Sequence, residues 1–353
     1  MKKTINYAIV GSANFGAAHI QALSFIKDVK VVALCDIHPE KCQDRIEQFN
    51  LDDVRCYTDY NEMLANEPDV DVVVVSTSDK AHAPATIAAL KAGKHVMCEK
   101  PMSLFVEECE EMVKTADETG KLLMVGQVCR CAPAFIKAKE LIESGIIGEL
   151  YYVESEYAHD YLFSRGVDDW RLDKDREPII GGACHAIDLL RWLAGDPIET
   201  MAYSNHKMLK DWPVDDTTVA IMKFPNDVIG KVFTSIGCKR NGTMRTVIYG
   251  TKGTIICDNS SSQMSLFLEK DDVNGEFANG YFDKRTEKTI QHSLPVFVDN
   301  HNVKAEHEQL IAAIREGKPL VTDGREGART ICVCRAVVEA ASTGKTVKIE
   351  YNV

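Results

Sequence analysis

The stretch VGSANFG, residues 10–16, decides how the first third of the chain is read. It ends the strand-like run NYAIVGS (6–12) and opens FGAAHIQALSFIKD (15–28), where Phe15, Ala18, Ile20, Leu23 and Ile26 recur at helical spacing. Gly11 and Gly16 take the first and last positions of G-x-G-x-x-G, and Ala13 takes the middle one. A strand, a glycine turn and a helix in that order present backbone N–H groups and a helix N-terminus to a pyrophosphate. The six loop residues Gly11, Ser12, Ala13, Asn14, Phe15 and Gly16 are therefore read as dinucleotide-binding; Ala13 crowds the approach without closing it. Asp36 ends the next strand, VKVVALCD (29–36). A carboxylate there accepts from the adenosine ribose hydroxyls and repels a 2′-phosphate, which favours NAD over NADP.

Working outward, short apolar runs alternate with amphipathic segments as far as residue 126. PEKCQDRIEQFN (39–50) reads as a helix with proline at its start. VDVVVVSTS (70–78) is a continuous β-branched run, as in a strand covered on both faces. APATIAALKAG (83–93), KHVMCEK (94–100), SLFVEECEEMVKTADETG (103–120) and KLLMVGQ (121–127) continue as helix, strand, helix, strand, with Ser103 capping the second helix and Gly120 ending it. The alternation predicts a doubly wound parallel sheet over residues 1–126. Beyond it, APAFIKAKELIESGIIG (132–148) reads as one more helix. Long alternating runs follow, from ELYYVESEYAHDY (149–161) to KGTIIC (252–257), interrupted by a helix near 183–194. They predict an α/β domain over 127–353 with a large open, mainly antiparallel sheet. Helices near 303–316 and 325–342, which can pack back on the first domain, and a last strand in KTVKIEY (345–351) complete it.

Composition bounds the function. The 353 residues suit two domains, and 45% of them are hydrophobic, enough for a core in each. A formal charge of −12 argues against nucleic acid as a partner. No apolar run approaches the roughly 20 residues of a membrane span. MKKTINYAIVG shows no signal peptide, so cytoplasm is the expected location. The twelve cysteines are diluted over a long chain and read as free thiols. Neither C-x-C pair, Cys129/Cys131 or Cys332/Cys334, has a second pair at zinc-site spacing, so no metal is expected.

Two further segments carry chemistry. HVMCEKPMS (95–103) places Glu99, Lys100 and Pro101 where an apparently buried strand meets the carboxyl edge of the sheet, the ligand-binding edge of such folds. A buried amine is costly, so Lys100 is a candidate proton donor or acceptor balanced by Glu99; an ordinary ion pair at a strand end fits the same letters. IIGGACHAIDLLRWLAGD (179–196) sets His185 in the first turn of a helix after a glycine pair, with Asp188 on the same face. His185 is a candidate cleft residue, and a satisfied core histidine is the alternative.

Together these stretches resemble the glucose-fructose oxidoreductase / inositol dehydrogenase / MocA family. The likeness runs through AIVGSANFGAAHI, ALCDIHPEK, VVVSTSDKAHAPATIAALKAGKHVMCEKPMS, GQVCRCAP, GGACHAIDLLRWLAGD and YGTKGTI, essentially the whole chain. The resemblance implies hydride exchange between nicotinamide and a secondary alcohol of a sugar or polyol. It implies His185 as proton acceptor and Lys100 at the substrate hydroxyl, the nicotinamide ribose, or both. Ser76, Thr77, His82, Glu99 and Gln127 would line the cofactor cleft, and the open sheet would join subunits into a homodimer or homotetramer. Relatives often carry an aspartate four residues before this histidine; here it is Gly181. Asp188 or Asp160 could replace it. Tyr157, His159, Asp160, Arg171 and Asp188 are the candidate substrate contacts, with DDWR (168–171) as a polar loop near the cleft.

The resulting expectation is an NAD-dependent dehydrogenase for a sugar, a cyclic polyol or a glycoside. A transient-redox enzyme that cleaves glycosides with bound NAD is the alternative. A non-catalytic dinucleotide or sugar sensor is the third reading, against which Lys100 and His185 argue.

Overall fold

The computed structural model describes residues 4–269, 289–299 and 301–353. The first three residues, part of the N-terminal stretch scanned for a signal, lie outside them. Among the described residues no helix is long and apolar enough to cross a membrane.

The first half alternates strand and helix: β1 (Ile5–Val10), α1 (Asn14–Ser24), β2 (Val29–Cys35), α2 (Pro39–Phe49), β3 (Arg55–Tyr57), α3 (Tyr60–Asn66), β4 (Val72–Val75), α4 (His82–Lys91), β5 (His95–Cys98), α5 (Val106–Thr119) and β6 (Leu123–Val125). The strands form one parallel sheet in the order β3-β2-β1-β4-β5-β6. That order reverses between β1 and β4, and a doubly wound sheet binds its ligand in the crevice at that switch point. All four valines of β4 are buried, as a strand covered on both faces requires. The short β3 and α3 have too little periodicity to stand out in the sequence. Ser103 is not the N-cap of α5: Phe105 holds that position and the Ser103 hydroxyl accepts from its amide (3.1 Å). Gly120 does end α5, in the left-handed conformation (φ 64°).

After α6 (Pro133–Glu143) comes the second sheet, started by β7 (Leu150–Ala158). Then follow α7 (Pro178–Gly181), α8 (Cys184–Ala194), β8 (Glu199–Asn205), β9 (Thr217–Lys223), β10 (Ile229–Ser235), β11 (Thr246–Gly250), β12 (Gly253–Cys257), β13 (Gln263–Glu269) and β14 (Thr289–Pro295). Helices α9 (Val303–Glu316) and α10 (Gly324–Thr343) and the two-residue β15 (Val347–Lys348) close the chain. The nine strands run β14-β13-β12-β11-β7-β10-β9-β8-β15, antiparallel except where β7 lies parallel to β10. Strands β13 and β14 were missed in the sequence because a long polar stretch separates them.

One sheet face is buried under α8 and α10. The other leaves Tyr203, Ile221 and Ile229 exposed at 72%, 55% and 50%. The last two helices do return to the first domain. The Val125 amide donates to Thr322 O (2.9 Å) and the Thr322 hydroxyl donates to Val125 O (2.8 Å), α9 lies on α1, and α10 lies on α5. This clasp fixes the cleft between the domains.

Candidate active site

The floor of the cleft is the glycine turn. Gly11 has φ 92°, and a Cβ there would meet Ser76 O at 2.5 Å; one on Gly16 would meet Gly11 O at 2.2 Å. Both positions therefore need glycine, whereas Ala13 sits before α1 in extended backbone. The Ser76 hydroxyl donates to Gly11 O (2.8 Å) and ties β4 to the turn. The Asp36 carboxylate accepts from the amides of Ser12 (2.7 Å) and His38 (3.0 Å), one on each oxygen. It is held rigid with lone pairs left for hydroxyl donors. Gly11, Ala13, Asp36, His38 and Ser76 line a cleft of about 780 Å³ together with Asn14, Phe15, Thr77, His82, Glu99 and Lys100. The volume, the open N-terminus of α1 and the fixed carboxylate fit a dinucleotide. The Gln127 side-chain amide is fully buried with neither polar atom partnered, which suits a residue that completes its bonds on a ligand.

His82 braces the far rim. Its ring nitrogens face Pro101 O (2.8 Å) and Thr77 O (3.3 Å), two acceptors that only an imidazolium satisfies together. Burial opposes that charge, but the nearby Cys98 and Asp79 and the Pro101 carbonyl outweigh it, raising the pKa to about 9.

Lys100 departs from expectation: it is partly exposed rather than buried, at the cleft surface with Nζ 5.9 Å from the Phe15 ring centre. Glu99 turns away from it into the protein, where Oε1 meets His19 Nε2 at 3.1 Å, and His19 Nδ1 meets His307 Nε2 of α9 at 3.0 Å. Burial raises the Glu99 pKa, but that bond and the Lys100 charge hold it below the usual range. Neighbouring Glu306 has both oxygens buried without partners, and burial and Glu99 push its pKa well up. Nothing in the sequence joins His19, Glu99 and His307; only the return of α9 does.

A second cluster, within reach of the Lys100 charge, comes from the end of β7 and from α8. His185 is 2% exposed and its Nδ1 has no partner. Burial, with the charges of Lys100, His301 and His159, lowers its pKa well below the ordinary imidazole value. His159, also with an unpartnered Nδ1, is lowered to about 4 by burial, Lys100 and His301. The Tyr157 ring stacks on His159 (4.0 Å) and lies 6.4 Å from His185, and its hydroxyl meets that of Tyr161 at 2.5 Å. Gly182 makes room for this ring, since a Cβ there would come within 2.5 Å of it.

Two expected contacts are placed elsewhere. Both Asp188 oxygens are held at 2.8 Å by Arg130, with no exposed surface, so Asp188 neither reaches substrate nor orients His185. Asp160 pairs with Lys239 Nζ (2.9 Å) on an exposed edge. The space beside Gly181 holds the buried guanidinium of Arg176, 2.3 Å from where a Cβ would stand. Arg176 donates to Gly181 O (2.8 Å) and to Asp79 (2.7 Å) of the first domain. Sequence reading missed Arg176 because its partner lies 97 residues away. The DDWR loop does reach the cleft: Phe163, Trp170 and Arg171 line it, and Asp168 bonds His38 Nε2 at 2.8 Å.

The comparisons agree with this fold. Residues 5–127 match the GFO/IDH/MocA model described as an oxidoreductase family with an NAD-binding Rossmann fold, and residues 135–256 match the GFO/IDH/MocA C-terminal domain. The chain is similar to the 1,5-anhydro-D-fructose reductase of Ensifer adhaerens, 31% identical over 82% of this chain and 83% of that one. It is 24% identical to the myo-inositol 2-dehydrogenase of Thermotoga maritima, over 97% and 98% of the two chains. A levoglucosan dehydrogenase solved with NADH and L-sorbose shares the fold, with a TM-score of 0.87, 22% identity and 99% of each chain covered. With a nucleotide fold on one wall and buried imidazoles on the other, this chain belongs to the GFO/IDH/MocA family and is an oxidoreductase with an NAD-binding Rossmann domain.

Proposed function

We propose that the protein is an NAD-dependent dehydrogenase that oxidises a secondary hydroxyl of a sugar, cyclic polyol or glycoside. The observation that carries this reading is that His185 and His159 are buried with an unpartnered ring nitrogen each and stand within reach of the charge of Lys100 from the cofactor domain. Bound NAD would lie along Gly11–Gly16 with its ribose at Asp36, and supplies the hydride acceptor. His185 stays neutral and takes the hydroxyl proton as hydride leaves the carbon. Lys100 polarises the same oxygen. A proton gained by His185 beside the Lys100 charge is unstable, so the pair is suited to passing it on rather than keeping it. The Asp36 carboxylate favours NAD over NADP. The apolar sheet face around Tyr203, Ile221 and Ile229 is suited to pairing with a second copy as a homodimer or homotetramer. We place the enzyme in the cytoplasm, whose reducing conditions suit twelve unpaired cysteines.

A second reading is supported by the segment that crosses the cofactor groove. Ion pairs Asp168–His38 (2.8 Å), Asp173–Lys80 (2.7 Å) and Arg176–Asp79 (2.7 Å) fasten it to the first domain. A dinucleotide beneath it would leave slowly, which suits transient oxidation of a glycoside with the hydride returned in the same cycle. An NAD-reduction screen over inositols, hexoses, pentoses and glucosides, with mass spectrometry of the products, tests both. NADH formed with a sugar or polyol supports the dehydrogenase, and cleaved glycoside without NADH supports the second reading. If NAD binds and nothing turns over, both fall and a sensor remains.

A further inference from the structure

Four acids around the cleft are committed to partners of their own. Glu99 is bonded to His19 (3.1 Å), Asp79 to Arg176 (2.7 Å), Asp188 to Arg130 (2.8 Å) and Asp160 to Lys239 (2.9 Å). Asp36 and Asp168 stand at the ribose end, on the His38 amide and ring. The cations are not all matched in this way. Among the described residues Lys100 Nζ has neither an ion pair nor a hydrogen bond, and it stands 5.9 Å from the Phe15 ring centre. Arg171 bonds through Nη1 to Ser164 O (3.0 Å) and to the Ser164 hydroxyl, while its buried Nε has no partner and Nη2 makes no bond. Its guanidinium stands 5.3 Å from the Tyr161 ring centre and 5.1 Å from that of Trp170, a rigid aromatic seat. Tyr161 bonds Tyr157, whose ring faces His185. Arg171 thus stands on the same aromatic wall as the candidate base.

Oxidised nicotinamide adds one more positive charge. The pyrophosphate charges of bound NAD would lie along the Gly11–Gly16 turn and Glu99 partly balances Lys100; a carboxylate on the substrate would match the Arg171 and nicotinamide charges, which a neutral polyol would leave unpaired. The planar Arg171 fork, with two donor atoms unused, has the shape to take a carboxylate. We infer that the substrate is a sugar acid of the uronate or aldonate kind, its carboxylate bound by Arg171 and its reacting hydroxyl at Lys100 and His185. This rests on the dehydrogenase reading and narrows its substrate class.

The test uses the full chain with saturating NAD and measures kcat/KM for D-glucuronate and D-galacturonate. Their methyl esters and the parent hexoses are the neutral controls, and the same compounds are titrated into NADH-loaded protein by calorimetry. Each acid is expected to exceed its ester by about tenfold or more, the size of one charge-assisted hydrogen bond. Arg171→Gln should bring that ratio towards one, and Arg171→Lys should keep most of it. Thermal unfolding of both variants establishes that they are folded. Esters or hexoses equal to or better than the acids overturn the inference, and if they still reduce NAD the dehydrogenase reading survives alone. A variant that loses NADH affinity while keeping the acid-to-ester ratio also overturns it, because Arg171 then serves the cofactor phosphates. Binding of acids that depends on Arg171 without NADH formation upholds the inference and removes the dehydrogenase. If neither class binds nor reacts, both fall.

Discussion

The Asp36 carboxylate accepts a backbone N–H on each oxygen, whereas the His185 imidazole has a buried ring nitrogen with no partner. The contrast extends along both walls. On the cofactor side the turn, Ser76 and Asp36 bond one another, so the surface is preorganised for one ligand. On the other side His185, His159 and Arg171 keep buried polar atoms unbonded. Each such atom costs about 1–3 kcal/mol of desolvation, which a folded chain tolerates where a ligand is to bind. Gln127 apart, the cofactor wall therefore stores its specificity in backbone geometry, and the substrate wall stores it in unsatisfied side chains.

Substitutions can break or sharpen this contrast. The largest effect is expected for Lys100→Met: a kcat lower by about 1000-fold, within the range for acid–base groups, with the NADH dissociation constant changed only a few-fold by fluorescence titration. A large loss of NADH binding would put Lys100 on the cofactor wall instead. Next, His185→Asn should lower kcat about 100-fold. In the unaltered enzyme the depressed His185 pKa keeps the neutral, proton-accepting form present below pH 6.5, so kcat/KM for oxidation should stay flat through that pH and fall only further down. A break at 6.5 in the pH profile would exclude His185 as the base.

Gly182→Ala pushes a methyl group into the Tyr157 ring. We expect about a tenfold loss in kcat/KM and a destabilisation of about 1–3 kcal/mol by denaturant unfolding, with NADH affinity unchanged. The smallest effect is expected for Asp36→Ala, which should weaken NAD about tenfold, by the loss of charge-assisted bonds to the ribose, and improve NADP. If NADP binding does not improve in a direct titration, Asp36 is not what discriminates the 2′-phosphate.

Local patterns sufficed for much of the molecule. The glycine turn, Asp36, the run of valines in β4 and the cap at Gly120 follow from backbone sterics and periodicity within a few residues. Even Ser103 was placed within three residues of the true start of α5. Patterning on β7 to β12 likewise announced an open sheet, because side chains alternate across a strand whatever it pairs with.

Other assignments depended on partners far along the chain. Asp188 reads as a cleft residue from its place one turn after His185, yet Arg130, 58 residues earlier, takes both its oxygens. Gly181 reads as a missing side chain, yet Arg176 fills that space and is anchored on Asp79 in the other domain. Lys100 and Glu99 look like one ion pair, but His19 and the return of α9 turn Glu99 inward and leave the amine in the cleft. The sequence alone determined which backbone turns and which faces form, since those are set by residues a few positions apart. Only the tertiary structure decided which charged groups neutralise one another and which stay available for chemistry, because an ion pair depends on distance in space, and folding alone brings residues 58 or 97 positions apart within 3 Å.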